Sequence, residues 1–80
     1  MFYTYIIYST IADKYYVGHT DDMIRRLHEH NHGLSRYTRT GKPWELVYSE
    51  EFETRAFAMR REREIKTKKS RKYIEKLIIR

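Results

Sequence analysis

Eighty residues without a break in composition leave room for one domain with a small core, and the absence of cysteine excludes a disulfide framework and a cysteine-ligated zinc. No stretch reaches the roughly 18 apolar residues of a membrane span, and Met1 to Ser9 lacks the basic lead of a signal peptide, so a cytoplasmic protein is expected. The net charge of +6 is uneven: residues 54–80 carry 11 Lys and Arg against 3 Glu, and residues 1–53 carry 6 against 8 acidic. That imbalance suits a polyanionic partner, most simply nucleic acid, although a solvated helical face in a basic protein gives the same count.

Phe2 to Ser9 and Lys14 to His19 are dense in Tyr, Ile, Val and Thr, and the short Thr10 to Asp13 between them predicts an antiparallel hairpin. Thr20-Asp21-Asp22 offers a hydroxyl for an N-cap and two carboxylates for the first turn of a helix. That helix is expected to bury Met23, Ile24 and Leu27, to run to about Asn31, and to stop at Gly33. Residues 34–43 read as a loop, and Trp44 to Phe52 as a third strand. Thr54 is a candidate cap for a helix to about Thr67, and Ser70 for a last helix in which Tyr73, Ile74, Leu77 and Ile78 recur at helical spacing. The order ββαβαα predicts an α+β fold, a three-stranded antiparallel sheet flanked by helices.

On a helical wheel Arg25 falls opposite the apolar stripe, whereas Arg26 lies at its edge, one turn before His30. Arg26 and His30 would project together where the helix meets the sheet, either to reach one ligand or as an arginine snorkelling along the core beside an incidental histidine. Glu62 lies on the sheet-facing side of its helix, between Ala58 and Ile65. A carboxylate there needs a cation, either a bound metal or one of Arg60, Arg61 and Arg63; Glu64, on the far side, is a surface residue. Gly18 closes its strand and implies positive φ or a close backbone approach. His28, His30 and His32 alternate on the helix and are expected to face different ways, which argues against a shared zinc.

Four motifs agree in order and spacing with one family. Tyr3-Thr4-Tyr5 with Ile6-Ile7-Tyr8, then Tyr16-Val17-Gly18, then Thr20-Asp21 through Arg25-Arg26-Leu27 to His30-Asn31, then Ala58-Met59-Arg60-Arg61-Glu62 together resemble the GIY-YIG nuclease superfamily over nearly the whole chain. The resemblance is to its short single-domain bacterial members and to the incision domain of an excision-repair subunit. It implies Tyr5 and Tyr16 as catalytic tyrosines with Tyr5 the first choice for general base, Arg26 as catalytic arginine, His30 as accessory, and Glu62 as ligand of a divalent ion, Mg²⁺ or alternatively Mn²⁺. His19 stands where many members have lysine. With Arg36, Arg39, Arg61, Lys66, Lys68 and Lys69 it completes the candidate nucleic-acid contacts.

The function so implied is metal-dependent endonucleolytic cleavage of DNA, selective for structure rather than sequence, by a monomer or weak homodimer. Two alternatives remain open on the sequence. One is a nucleic-acid-binding module that kept the fold and lost turnover. The other is an RNA-directed nuclease, for which Tyr37 and Trp44 beside Arg36 and Arg39 offer stacking surfaces.

Overall fold

The Tyr, Thr and Ile run of β1 (Phe2–Ser9) becomes the central strand, paired antiparallel with β2 (Lys14–Thr20) on one side and β3 (Trp44–Phe52) on the other. The computed structural model describes residues 1–79 and has the expected order, with α1 (Met23–Asn31), α2 (Arg55–Thr67) and α3 (Arg71–Ile78). Helices cover both faces of the sheet. This is why Thr4, Tyr5, Ile6 and Ile7 are all buried in succession instead of alternating.

Under α1 lie Tyr5, Ile7 and Trp44, with Tyr16, Met23 and Leu27 packed around them. On the opposite face Ile6, Val17, Ile65 and Leu77 form the core beneath α2 and α3. Full burial of each of these isoleucines contributes about 1.5–3 kcal/mol. A bulge in β3, between its pairings to Ile6 and Ile7, lets Val47 and Tyr48 both reach this second core. Ala58 has no exposed surface, and the Thr4 hydroxyl donates to its carbonyl at 2.7 Å, so α2 lies close against β1.

The caps at Thr54 and Ser70 form as expected, accepting from the Phe57 and Tyr73 amides. At α1 the cap is Asp22 rather than Thr20. The Asp22 carboxylate accepts from Arg25 N, while the Thr20 hydroxyl, buried at the strand end, is used on the backbone of Asp22. Gly33 does end α1: its φ of +72° is the left-handed turn, and Leu34 N donates back to Glu29 O.

Ile24 is not part of the buried stripe, being 86% exposed. The face that meets the sheet runs through Met23, Leu27 and His30, one residue per turn, and its last member is a histidine. The expectation for the three histidines needs the same correction. His30 is buried, but His28 and His32 are one turn apart and stack outside with ring centroids at 3.8 Å.

Residues 34–43 do connect α1 to β3, but not as a free loop. Ser35 and Thr38 are buried, and a short 3₁₀ turn forms at Arg39–Gly41. The Trp44 indole donates to Thr38 O at 2.6 Å, and the Asn31 side chain bonds both backbone groups of Trp44. These contacts tie the end of α1 to the start of β3.

Candidate active site

Tyr5 is 1% exposed and its ring leans over Gly18 of the neighbouring strand. A Cβ at position 18 would stand 2.6 Å from the phenolic oxygen, so the glycine serves close approach, not a special φ. With that space open, the Tyr5 hydroxyl reaches His30 Nε2 at 2.8 Å, and His30 Nδ1 in turn meets Thr38 Oγ1 at 2.6 Å. Burial pushes the Tyr5 phenol up to about 12 against the pull of the Arg26 guanidinium, and burial with Arg26 lowers His30 to about 4. At neutral pH the phenol is therefore un-ionised, with a proton to donate, and the imidazole is neutral. A neutral imidazole that accepts from Tyr5 at Nε2 carries its proton on Nδ1, directed at Thr38.

Tyr16 is half-buried beside this string, its ring 5.2 Å from that of His30 and 6.5 Å from that of Tyr5. Arg26 is 28% exposed and pairs with Glu29 at 2.9 Å. Burial disfavours its charge, but Glu29 and the phenols of Tyr5 and Tyr16 more than offset this, so it stays cationic. Arg25 turns outward to Asp21 and Glu29, as the wheel implied.

Glu62 approaches from the other face of the sheet, around the free edge of β2. Its Oε1 lies 2.6 Å from His19 Nδ1 and its Oε2 lies 2.5 Å from Lys66 Nζ, whose ammonium is 5.8 Å from the centre of the Tyr16 ring. The cation on Glu62 is thus Lys66, one turn on, and not an adjacent arginine. Partial burial pushes this carboxyl up, but the bonds from Lys66 and His19 outweigh it and hold Glu62 below its usual range, ionised. Glu64, by contrast, is exposed and bound to Arg61, which also holds Glu50.

Tyr5, Tyr16, Arg26 and His30 therefore gather on the α1 side of the β2 edge, and His19, Glu62 and Lys66 on the α2 side. The second group lines a groove of about 370 Å³ with Met59, Arg63, Thr67 and Lys69. Arg36 and Arg39 are exposed on the 34–43 segment, and Lys68 and Lys69 on the turn between α2 and α3. Thr38 escaped the sequence reading because nothing in a polar segment marks one hydroxyl as buried. Lys66 was legible only as one basic residue among many.

The family model of the GIY-YIG catalytic domain matches residues 1–74. The chain belongs to this family. Its matches include UPF0213 proteins of Haloquadratum walsbyi, 44% identical over 81% of this chain and 73% of the relative, and of Listeria monocytogenes, 46% identical over 75% and 67%. The solution NMR structure of a UPF0213 protein from Bacillus halodurans is similar to it with a TM-score of 0.60 and 36% identity, covering 98% of this chain and 83% of the other. In this GIY-YIG domain no helix among the described residues is long and apolar enough to cross a membrane. Nor do three or more metal-type side chains cluster among them, so the protein would offer a metal few ligands. One ionised carboxylate at a groove suits Mg²⁺ or Mn²⁺, which keep waters and take phosphate oxygens from substrate.

Proposed function

We propose that this GIY-YIG domain is a cytoplasmic, metal-dependent endonuclease that hydrolyses phosphodiester bonds in DNA and selects structure rather than sequence. The observation that carries the reading is the Tyr5–His30 hydrogen bond with a charged Arg26 acting on both rings. This is a proton-accepting pair set next to a phosphate-binding group.

Arg26 leaves Glu29 for a non-bridging phosphate oxygen, where its fixed fork stabilises the charge that develops during attack. Its movement opens the way to the Tyr5 hydroxyl. The phenol passes its proton to His30 Nε2 as it takes one from the attacking water, so no tyrosinate need form in advance. Burial first and the Arg26 field second hold His30 low, and a bound phosphate cancels part of the second, which strengthens the base when substrate arrives. Tyr16 orients the same water from the solvent side. Glu62 would hold the divalent ion, which supplies Lewis-acid stabilisation of the phosphoryl and leaving oxygens.

Substrate choice follows from the basic residues. Arg63, Lys66 and Lys69 line the groove at Glu62, and Lys14, Lys66, Lys69 and Arg71 line a second groove of about 440 Å³ alongside it. Such a track holds phosphates without reading bases. A second reading, cleavage of RNA, is favoured by Tyr37, which is 83% exposed between exposed Arg36 and Arg39 and could stack on an unpaired base.

The test is incubation of linear, flapped and four-way DNA and of single-stranded RNA with the protein and Mg²⁺ or Mn²⁺. Cleavage of a branched DNA ahead of linear DNA and RNA is expected, with binding that weakens steeply with salt. Salt-sensitive binding with no cleavage of any substrate would leave a binding module, and preferred cleavage of RNA would establish the second reading.

A further inference from the structure

Glu62 has one neighbour of metal-ligating type, and it comes from a different element. His19, on β2, points its Nδ1 at Oε1 of Glu62 from 2.6 Å. Both side chains are reachable from solvent, 25% and 18% exposed, and both line the same groove. We infer that His19 is a second protein ligand of the divalent ion at Glu62, making a nitrogen–oxygen pair that prefers Mn²⁺ to Mg²⁺. The inference rests on the nuclease reading, which is what calls for an ion at Glu62.

Three features of the site support it. Lys66 occupies Oε2, so the oxygen left to a metal is Oε1, the one facing His19. Two donors bound side by side at about 2.0–2.2 Å on an octahedral ion stand about 3 Å apart, so the ion takes the place of the Nδ1 proton now held against Oε1, the neutral ring carrying its proton on Nε2 instead, and the spacing opens by only a few tenths of an ångström. The sheet offers His19 no competing partner from its cross-strand neighbour Thr4, whose hydroxyl is committed to Ala58 O.

The chemical consequence follows from ligand type. A site of carboxylate and water alone suits Mg²⁺ and Mn²⁺ alike, whereas an added imidazole nitrogen favours Mn²⁺, a transition ion, over the harder Mg²⁺, which gives up water reluctantly. With two protein ligands, the remaining positions stay available to water and to phosphate oxygens. Lys66 remains on Oε2 and orients the carboxylate from behind.

The experiment uses Mn²⁺ alone, added to the full chain without nucleic acid and observed by pulsed electron paramagnetic resonance. The wild type should show ¹⁴N coupling to Mn²⁺, a reading that needs no variant to fold. In His19→Ala the coupling should vanish and Mn²⁺ affinity fall about ten-fold or more, while Mg²⁺ affinity, measured by competition, changes by less than about two-fold. A Mn²⁺ signal that Glu62→Gln abolishes but that lacks ¹⁴N coupling would overturn the inference and leave the nuclease reading intact. No Glu62-dependent Mn²⁺ binding at all would overturn both the inference and the metal dependence on which it rests.

Discussion

Thr38 and His30 meet inside the protein at 2.6 Å, both with no exposed surface, although one lies in the segment that follows the helix carrying the other. With the Thr38 hydroxyl accepting from Nδ1–H, Nε2 is left as the acceptor for the Tyr5 phenol. Thr38→Val should leave Nδ1–H buried without an acceptor, costing about 1–3 kcal/mol of stability and about ten-fold or more in turnover. Thr38→Ser should restore both. The ¹⁵N shifts of His30, which report which nitrogen is protonated, separate this role from simple packing: in the valine variant they should move toward a mixture of tautomers.

His30 also makes stability depend on pH. Its folded value of about 4 lies below the ordinary 6.5, so between the two the unfolded chain binds more protons than the folded one. The contribution is fully present above pH 6.5 and is lost as pH falls toward 4, a loss of roughly 3 kcal/mol over the window. Urea unfolding at pH 7 and pH 4.5 should show it, and in His30→Gln the difference between the two pH values should shrink. An equal difference in wild type and variant would assign the effect to other groups.

Gly18→Ala places a methyl carbon 2.6 Å from the Tyr5 oxygen and 2.7 Å from its Cζ. Tyr5 has no room to retreat, since it is packed among Ile7, Trp44 and Tyr16. A loss of about 1–3 kcal/mol is expected from overpacking, together with loss of the Tyr5–His30 bond. Chemical denaturation measures the first, and the His30 ring shifts the second. An alanine variant as stable as wild type would show that the close approach is not needed.

Lys69 adopts a left-handed φ of 48° between α2 and α3, where glycine is the unstrained residue. Lys69→Gly should therefore gain about 0.5 kcal/mol or more in stability while weakening DNA binding and lowering its salt slope by about one. Lys69→Ala should lose the same binding without the gain. A glycine variant that binds as well as wild type would remove Lys69 from the DNA track.

Much of this was legible in the sequence where pattern and physics coincide. The β-branched and aromatic density of the strands and the Thr54 and Ser70 hydroxyls placed β1, β3, α2 and α3 to within a residue, because strand composition and a cap are local signals. The α1 face was misread at Ile24 because hydropathy counts isoleucine as core and histidine as surface, whereas the helix docks through Met23, Leu27 and His30. The wheel separated Glu62 from Glu64 correctly, but not the partners of Glu62. His19 is 43 residues away in the chain, and no helical spacing reveals a contact across the sheet edge. Thr38 was hidden for the same reason.

Cleavage by Glu62→Gln and by Glu64→Gln of the nucleic acid that the wild type cuts fastest, with wild type alongside, tests the nuclease assignment most directly. Glu62 faces the groove and Glu64 pairs with Arg61 on the outside, so the two substitutions differ in place and not in chemistry. Glu62→Gln should reduce the rate by about 10²–10³ or more, as expected for losing a group that stabilises the transition state, while Glu64→Gln should cleave at close to the wild-type rate. Cleavage by Glu62→Gln at the wild-type rate, or none by the wild type itself, would contradict the assignment.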